Sequence, residues 1–421
     1  MATAPLSTSP DEHRHNGIFA LGTRCPRAVF TWARHLDRTT VQIGLLFSTE
    51  GPYGTVAQTL LNGAMLACMQ VNDDSRSGLT LQPVHMNPGG RLDDYRASMQ
   101  AMLDRGITHV CGCYTSSSRK EVLPIIEKRD ALLWYPSHYE GFETSQNVIY
   151  TGSSPNQHLT PLIDFLFRQH GRTAYCIGSN YIWAWESNRV FREGITRLGG
   201  RIATERYVPV GETDLDQYVR EVLELRPDYI FNSLIGSSSY EFLRRLRRAC
   251  AAIGLDQPGQ MPVASCTLSE PELRAIGPDA AAGQISSSVY FSSLKTPRNA
   301  GFVAAYRRAF PDGPVACADA ESSYIAVHLL ADAIGRAGSA DVAQVREAVT
   351  ACEFDAPQGP VRIDPDTMHA YLTPHIGVSR ADYEFDVLIE GSAPVKPDPY
   401  LVQWSRNMEI PYPPSPLRIV R

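Results

Sequence analysis

From Thr40 onward the sequence alternates short apolar runs with longer stretches of helical spacing, and few architectures accept that rhythm over most of a chain. Val41-Gln42-Ile43-Gly44-Leu45-Leu46-Phe47 is the near-continuous apolar run expected of a parallel strand buried on both faces. Helical spacing follows over 55–72 through Leu60, Met65 and Met69. Strands are expected at 79–86, 108–114 and 131–135, with helices at 93–104 and 117–128 between and after them. Short strands separated by helices of this length read as βαβ units.

The rhythm restarts after Val148-Ile149-Tyr150-Thr151-Gly152. Helices expected at 156–170, 186–198 and 215–225 lie among strands at 173–178, 201–210 and 229–234. The next helix carries Arg244, Arg245, Arg247 and Arg248, interleaved with Leu243, Leu246 and Ala249, and reads as a solvated basic face. Strands at 262–265 and 285–290 and helices at 300–309, 318–337 and 342–351 complete the α/β pattern. Residues 360–404 alternate apolar and polar around Asp364-Pro365-Asp366 and Glu390-Gly391, as antiparallel hairpins do. The expected fold class is α/β, with two doubly wound parallel-sheet lobes.

With 421 residues, 43% of them hydrophobic, each lobe has ample core. A net charge of −6 argues against a basic nucleic-acid surface, and no apolar run approaches the ~20 residues of a membrane-spanning helix. Residues 1–38 are expected to form a poorly ordered tail. Its longest apolar stretch, 17–22, is short and follows Asp11, Glu12, His13, Arg14 and His15, which is not the order of a signal peptide. Arg24 stands before Cys25 where a lipid anchor needs a small residue. The nine cysteines follow no disulfide framework and fall mostly in apolar patterns, as in a reducing cytosol. Cys111-Gly112-Cys113 is not the CxxC of redox or zinc sites, so neither metal nor cofactor is expected.

Open α/β sheets bind ligands at the carboxyl ends of their strands. Those ends carry Tyr114-Thr115-Ser116-Ser117-Ser118, Trp134-Tyr135-Pro136-Ser137-His138-Tyr139, Ser179-Asn180-Tyr181-Ile182-Trp183, Leu234-Ile235-Gly236-Ser237 and Cys266-Thr267-Leu268-Ser269-Glu270. Aromatic rings and hydroxyls recur, and charges are scarce. Ser116 and Ser117 stand where a helix begins, so free backbone N–H groups there can meet a ligand oxygen. Taken singly these residues are caps and core; as a set they suit a small uncharged amide or urea, which hydroxyls and backbone groups satisfy without burying a charge. An amino-acid ligand would need an acidic partner for its ammonium, and Glu270 is the candidate.

At these residues the chain resembles the type I periplasmic-binding-protein family in its amide, urea and branched-chain-amino-acid group. The resemblance is to amide-sensing negative regulators of aliphatic amidase operons and to short-chain amide and urea binding proteins of importers. It runs from Val41 to Gln403 through Ile43-Gly44-Leu45-Leu46-Phe47-Ser48, Gly112-Cys113-Tyr114-Thr115-Ser116, Ser118-Arg119-Lys120, Tyr135-Pro136, Tyr139-Glu140-Gly141-Phe142-Glu143, Ser154-Pro155-Asn156-Gln157, Ile177-Gly178-Ser179-Asn180-Tyr181, Tyr290-Phe291-Ser292-Ser293 and Asp355-Ala356-Pro357-Gln358-Gly359-Pro360-Val361. The resemblance implies two lobes that close on ligand and three hinge crossings, expected near Ser153, Val289 and Ala351. The lobes are then 39–153 with 290–351, and 154–289 with 352–421. It also implies that Tyr114 and Ser116, helped by Tyr135 and Ser137, bind the amide, that Tyr181 and Trp183 close over it, and that Ile235 and Thr267 line the floor. Trp183 and His138 depart from the amide-sensor pattern, which has Tyr and Pro there, and the larger Trp favours acetamide, formamide or urea.

The chain has no G-x-S-x-G elbow, partnered S-x-x-K, H-E-x-x-H, Walker A loop or G-x-G-x-x-G. His138 beside hydroxyls reads as a hydrogen-bonding wall, and no enzyme is expected. The expected function is a cytosolic amide or urea sensor whose partner, by resemblance, is an RNA-binding antitermination regulator. The alternative is the solute-binding component of an ABC importer, located in the cell envelope and partnered by a permease. Direct nucleic-acid contact and membrane insertion are not expected; self-association is left open.

Overall fold

The computed structural model describes residues 38–407 and 417–419. The tail expected at 1–38 lies outside the described residues except for Arg38, whose guanidinium donates to the Asn72 carbonyl at 2.6 Å. The first sheet comprises β1 (Thr39–Leu46), β2 (Leu79–Met86), β3 (His109–Gly112), β4 (Leu132–Tyr135) and β5 (Val148–Tyr150), all parallel, in the order β2-β1-β3-β4-β5. The apolar run that made β1 legible is buried on both sides: Ile43, Leu45 and Leu46 have no exposed surface.

The second sheet is built from β6 (Thr173–Ser179), β7 (Arg201–Val208), β8 (Tyr229–Ser233), β9 (Val263–Ser265) and β10 (Ile285–Ser288), parallel in the order β10-β9-β8-β6-β7. A separate hairpin pairs β11 (Glu353–Ala356) with β12 (Gly359–Arg362). Then β13 (His375–Ser379), β14 (Phe385–Gly391) and β15 (Leu417–Ile419) extend the second sheet antiparallel from β10. Helices cover both faces of each lobe. Tyr95, Met99, Val122 and Ile126 pack under one face of the first sheet, and Leu162, Phe191 and Ile195 under one face of the second. No helix among the described residues is long and apolar enough to cross a membrane.

The chain passes between the sheets three times. It leaves β5 for the helix Pro155–Gln169 and leaves β10 for the helices Pro297–Ala309 and Ala318–Ala337. The third passage lies beyond Ala370: the Tyr150 amide donates to Met368 and the Ala370 amide to Tyr150, both at 2.9 Å, before the chain enters β13. Gln157 clamps this passage, donating from one amide nitrogen to the carbonyls of Ala370 and Val395 at 2.9 Å each.

Two glycines set how closely parts approach. The helix Ala318–Ala337 lies against the helix Gly54–Asp73, and a Cβ at Gly63 would sit 2.0 Å from the Ala320 carbonyl oxygen. Gly236 follows β8 with φ +57°, and a Cβ there would sit 2.0 Å from the carbonyl oxygen of Pro52 in the loop after β1. The two lobes therefore meet backbone to backbone at that point.

Candidate functional site

The helix Ser116–Lys128 starts at the end of β3. Thr115 caps it, its side chain accepting from the Ser118 amide at 3.1 Å, so the capping role falls to neither Ser116 nor Ser117. The Ser116 hydroxyl donates to the Glu140 carboxylate, and Ser117 is half-buried. Behind Ser116 lies a buried ionic cluster. Arg119 has no exposed surface, pairs with Glu140 at 3.1 Å and Glu143 at 2.7 Å, and lies over the rings of Tyr135 and Tyr139 at 4.7 and 4.8 Å. Lys120 joins Glu143 at 2.7 Å. Burial alone would raise the Glu143 carboxyl, but Arg119 and Lys120 outweigh it and hold it at about 2. Tyr139 meets His369 Nε2 at 2.6 Å, and the His369 ring stacks on Tyr150 with centroids 4.0 Å apart.

Tyr135 thus belongs to this cluster, its hydroxyl donating to the Tyr114 carbonyl at 3.0 Å. The Tyr114 ring packs 5.4 Å from Tyr53, and Ser137 is buried. Tyr181 stacks near Trp183, and Trp183 lies 5.5 Å from His138. Trp183 is 2% exposed and its indole N–H has no partner among the described residues. Ile235 is buried in the core, its amide donating to the Ser179 hydroxyl at 3.1 Å.

Between the lobes, at the seam of the first two passages, lies a small cavity of about 30 Å³. Of the expected site residues, His138 and Thr267 line it. Burial holds the His138 imidazole down at about 4, so it is neutral at physiological pH. Thr267 shares a hydrogen bond of 2.9 Å with Ser265. Ser153, Ser269, Ser287 and Ser322 add hydroxyls to the wall. Ser287 donates to the His158 carbonyl at 2.6 Å, and Ser153 meets His158 Nδ1 at 3.0 Å. The one ionisable acid in the wall is Asp319, in the first turn of the helix Ala318–Ala337, and no Lys or Arg lines the cavity.

Among the described residues no group of three His, Cys, Asp or Glu side chains is arranged to hold a metal ion. The eight cysteines described are buried and unpaired. The wall presents donors and acceptors from both lobes to this space.

Residues 41–406 match the family described as periplasmic binding protein domain, well over half of the chain. The chain belongs to the periplasmic-binding-protein family. A curated relative of this binding-protein chain is Leu/Ile/Val-binding protein homolog 6 of Brucella abortus, 22% identical over 78% of this chain and 85% of the relative. Among solved structures, a solute-binding protein of an ABC transporter from Rhodopseudomonas palustris, in complex with benzoate, superposes with a TM-score of 0.75 at 18% identity, covering 86% of this chain and 98% of the other. A branched-chain amino acid transporter substrate-binding protein from Streptococcus pneumoniae, in complex with isoleucine, gives a TM-score of 0.71 at 16% identity, covering 83% and 98%. These likenesses establish the type I binding-protein fold, two α/β lobes with parallel sheets.

In this binding protein, sequence reasoning missed Asp319. An acid in the first turn of a helix reads as a partner of the helix dipole, and only the tertiary position brings it to the cavity. Glu270, the acid that the sequence did offer, is committed elsewhere: its carboxylate accepts from the Ser292 amide at 2.7 Å.

Proposed function

We propose that this chain is the solute-binding component of an ABC-type importer, closing its two lobes on a small solute of the amide or urea type. The observation that carries the reading is the wall between the lobes: hydroxyls, a neutral imidazole and one carboxylate, with no basic side chain. Such a wall offers acceptors for N–H groups and donors for a carbonyl, and has no cation for a carboxylate ligand such as benzoate. The names of the relatives and neighbours support the importer reading. The cytosolic amide-sensor role rests on the resemblance in sequence alone, and the two differ in location and partner. Fractionation separates them: an importer component is found in the envelope with a permease, a sensor in the cytosol with an RNA-binding regulator.

A ligand of about four heavy atoms has a ceiling of roughly −6 kcal/mol, or a Kd of some tens of micromolar. The test is a thermal-shift panel at millimolar formamide, acetamide, propionamide, butyramide, urea and leucine. At about 100 times Kd, binding adds roughly 2.7 kcal/mol, a rise of several degrees. A shift with short amides or urea that weakens in Thr267→Val supports the reading. A shift with leucine alone, or with none of the panel, overturns it.

A further inference from the structure

Asp319 is 6% exposed and lines the interlobe cavity, yet among the described residues its carboxylate receives no hydrogen bond and no ion pair. Every other buried acid near it is supplied. Glu272 accepts from the Ser269 amide at 3.0 Å and from the Tyr240 hydroxyl at 3.2 Å, Glu270 from the Ser292 amide, and Glu321 from Gln358 at 2.8 and 3.0 Å. The charged neighbours that act on Asp319 are Glu272 and Glu270, both acidic. A buried carboxylate with neither donor nor counter-ion is costly, and this one stands in the wall of the cavity between the lobes.

We propose that Asp319 reads the charge of the ligand: its carboxylate receives the nitrogen end of a small planar solute, and the cleft holds amidinium and guanidinium ions more tightly than the amide and urea of the same shape. The inference rests on the reading that the cleft takes amide-type solutes. Two N–H groups on one planar carbon match the two oxygens of a carboxylate, and a charged donor strengthens both bonds. In a desolvated site the charge difference between isosteres of equal size decides the preference, because shape and apolar contact cancel. The same carboxylate repels the acid end of benzoate-type ligands.

The pH dependence follows from the groups around it. Burial, then Glu272 and Glu270, push Asp319 up to about 8, and burial raises Glu270 and Glu272 to about 7. His138 across the cavity stays neutral, while the Tyr114 phenol and the Cys266 and Cys317 thiols are raised and stay protonated. A cationic ligand must displace protons from the acids, so its affinity rises from pH 6 to pH 9.

The experiment is calorimetry of the full chain with two isosteric pairs, urea against guanidinium chloride and acetamide against acetamidinium chloride, at millimolar ligand and matched chloride. Wild type is expected to bind each cation at least about tenfold more tightly than its neutral isostere. Asp319→Asn is expected to lose about a hundredfold for the cations and less for urea, so that the preference within each pair collapses, while melting no lower than wild type in the absence of ligand. In wild type the guanidinium affinity is expected to rise between pH 6 and 9 and the urea affinity to stay level. Equal affinity within each pair, or a preference unchanged in Asp319→Asn, overturns the inference and leaves the amide reading standing. Cations bound without their neutral partners support it and narrow the ligand class. No binding by any of the four overturns both.

Discussion

Arg119 carries a full charge with no exposed surface, balanced by Glu140 and Glu143 and covered by two tyrosine rings. Breaking such a pair leaves two carboxylates buried beside Lys120 alone. Arg119→Ala should therefore lower unfolding stability by about 3–5 kcal/mol, read from urea denaturation; a loss below 1 kcal/mol would mean that the cluster is wetter than its geometry indicates. At this scale the sequence was half legible. Ser118-Arg119-Lys120 and Tyr139-Glu140-Gly141-Phe142-Glu143 stood out as resemblances, but nothing in them says that they meet in space. Tyr135 and Ser116 were read as pointing to the ligand because they follow strands. Whether such a side chain faces the cleft or its own lobe depends on packing from residues far along the chain, here Glu140 and Arg119.

The elements were more legible than the side chains. The strand Leu79–Met86 and the helix Ala318–Ala337 have the boundaries that the pattern indicated, because Gly78 (φ +61°) and Gly338 (φ +64°) mark them with turns that need a left-handed backbone. The helix Ile182–Arg197 begins four residues before the expected Glu186. Its first turn holds Trp183 and Trp185, poor formers whose aromatic character reads as strand end when the neighbouring helix is unseen. One close approach can be tested directly. Gly63→Ala places a methyl 2.0 Å from the Ala320 oxygen, so the helices Gly54–Asp73 and Ala318–Ala337 must separate. The expected cost is about 1–3 kcal/mol, seen as a lower melting temperature; an unchanged melting temperature would show that the pair has slack.

At the scale of the whole molecule, the two lobes approach each other backbone to backbone at Gly236 and Pro52. Gly236→Ala adds a methyl there and strains a φ of +57°. The variant should show a larger radius of gyration by solution scattering than wild type under the same saturating ligand, and its affinity should fall by about tenfold or more. Unaltered scattering and affinity would mean that closure does not pass through this contact. The balance of buried titratable groups gives a second molecular property. His138, His328 and His375 are held near 4 by burial and His369 near 3, and these favour acid unfolding as the pH falls below their ordinary 6.5. Asp319 and Glu321 are raised by burial to about 8, and Glu270 and Glu272 to about 7, so between pH 6.5 and 8 the folded chain keeps protons that the unfolded chain has released. Stability should fall across that window, with a lower urea midpoint at pH 8 than at pH 6.5; a level or rising midpoint would contradict these raised values.

The seat of Asp319 has a consequence for how such proteins diversify. The acid rides on a helix that packs closely at Gly63 against the helix Gly54–Asp73, and Gly63 does not line the cavity. Drift at that glycine would move the acid without altering one residue of the cleft, so two lineages with identical cleft residues could part in what they import. Sorting relatives by their lining residues alone would group them together, and the difference would be written in a helix-packing position that no ligand ever touches.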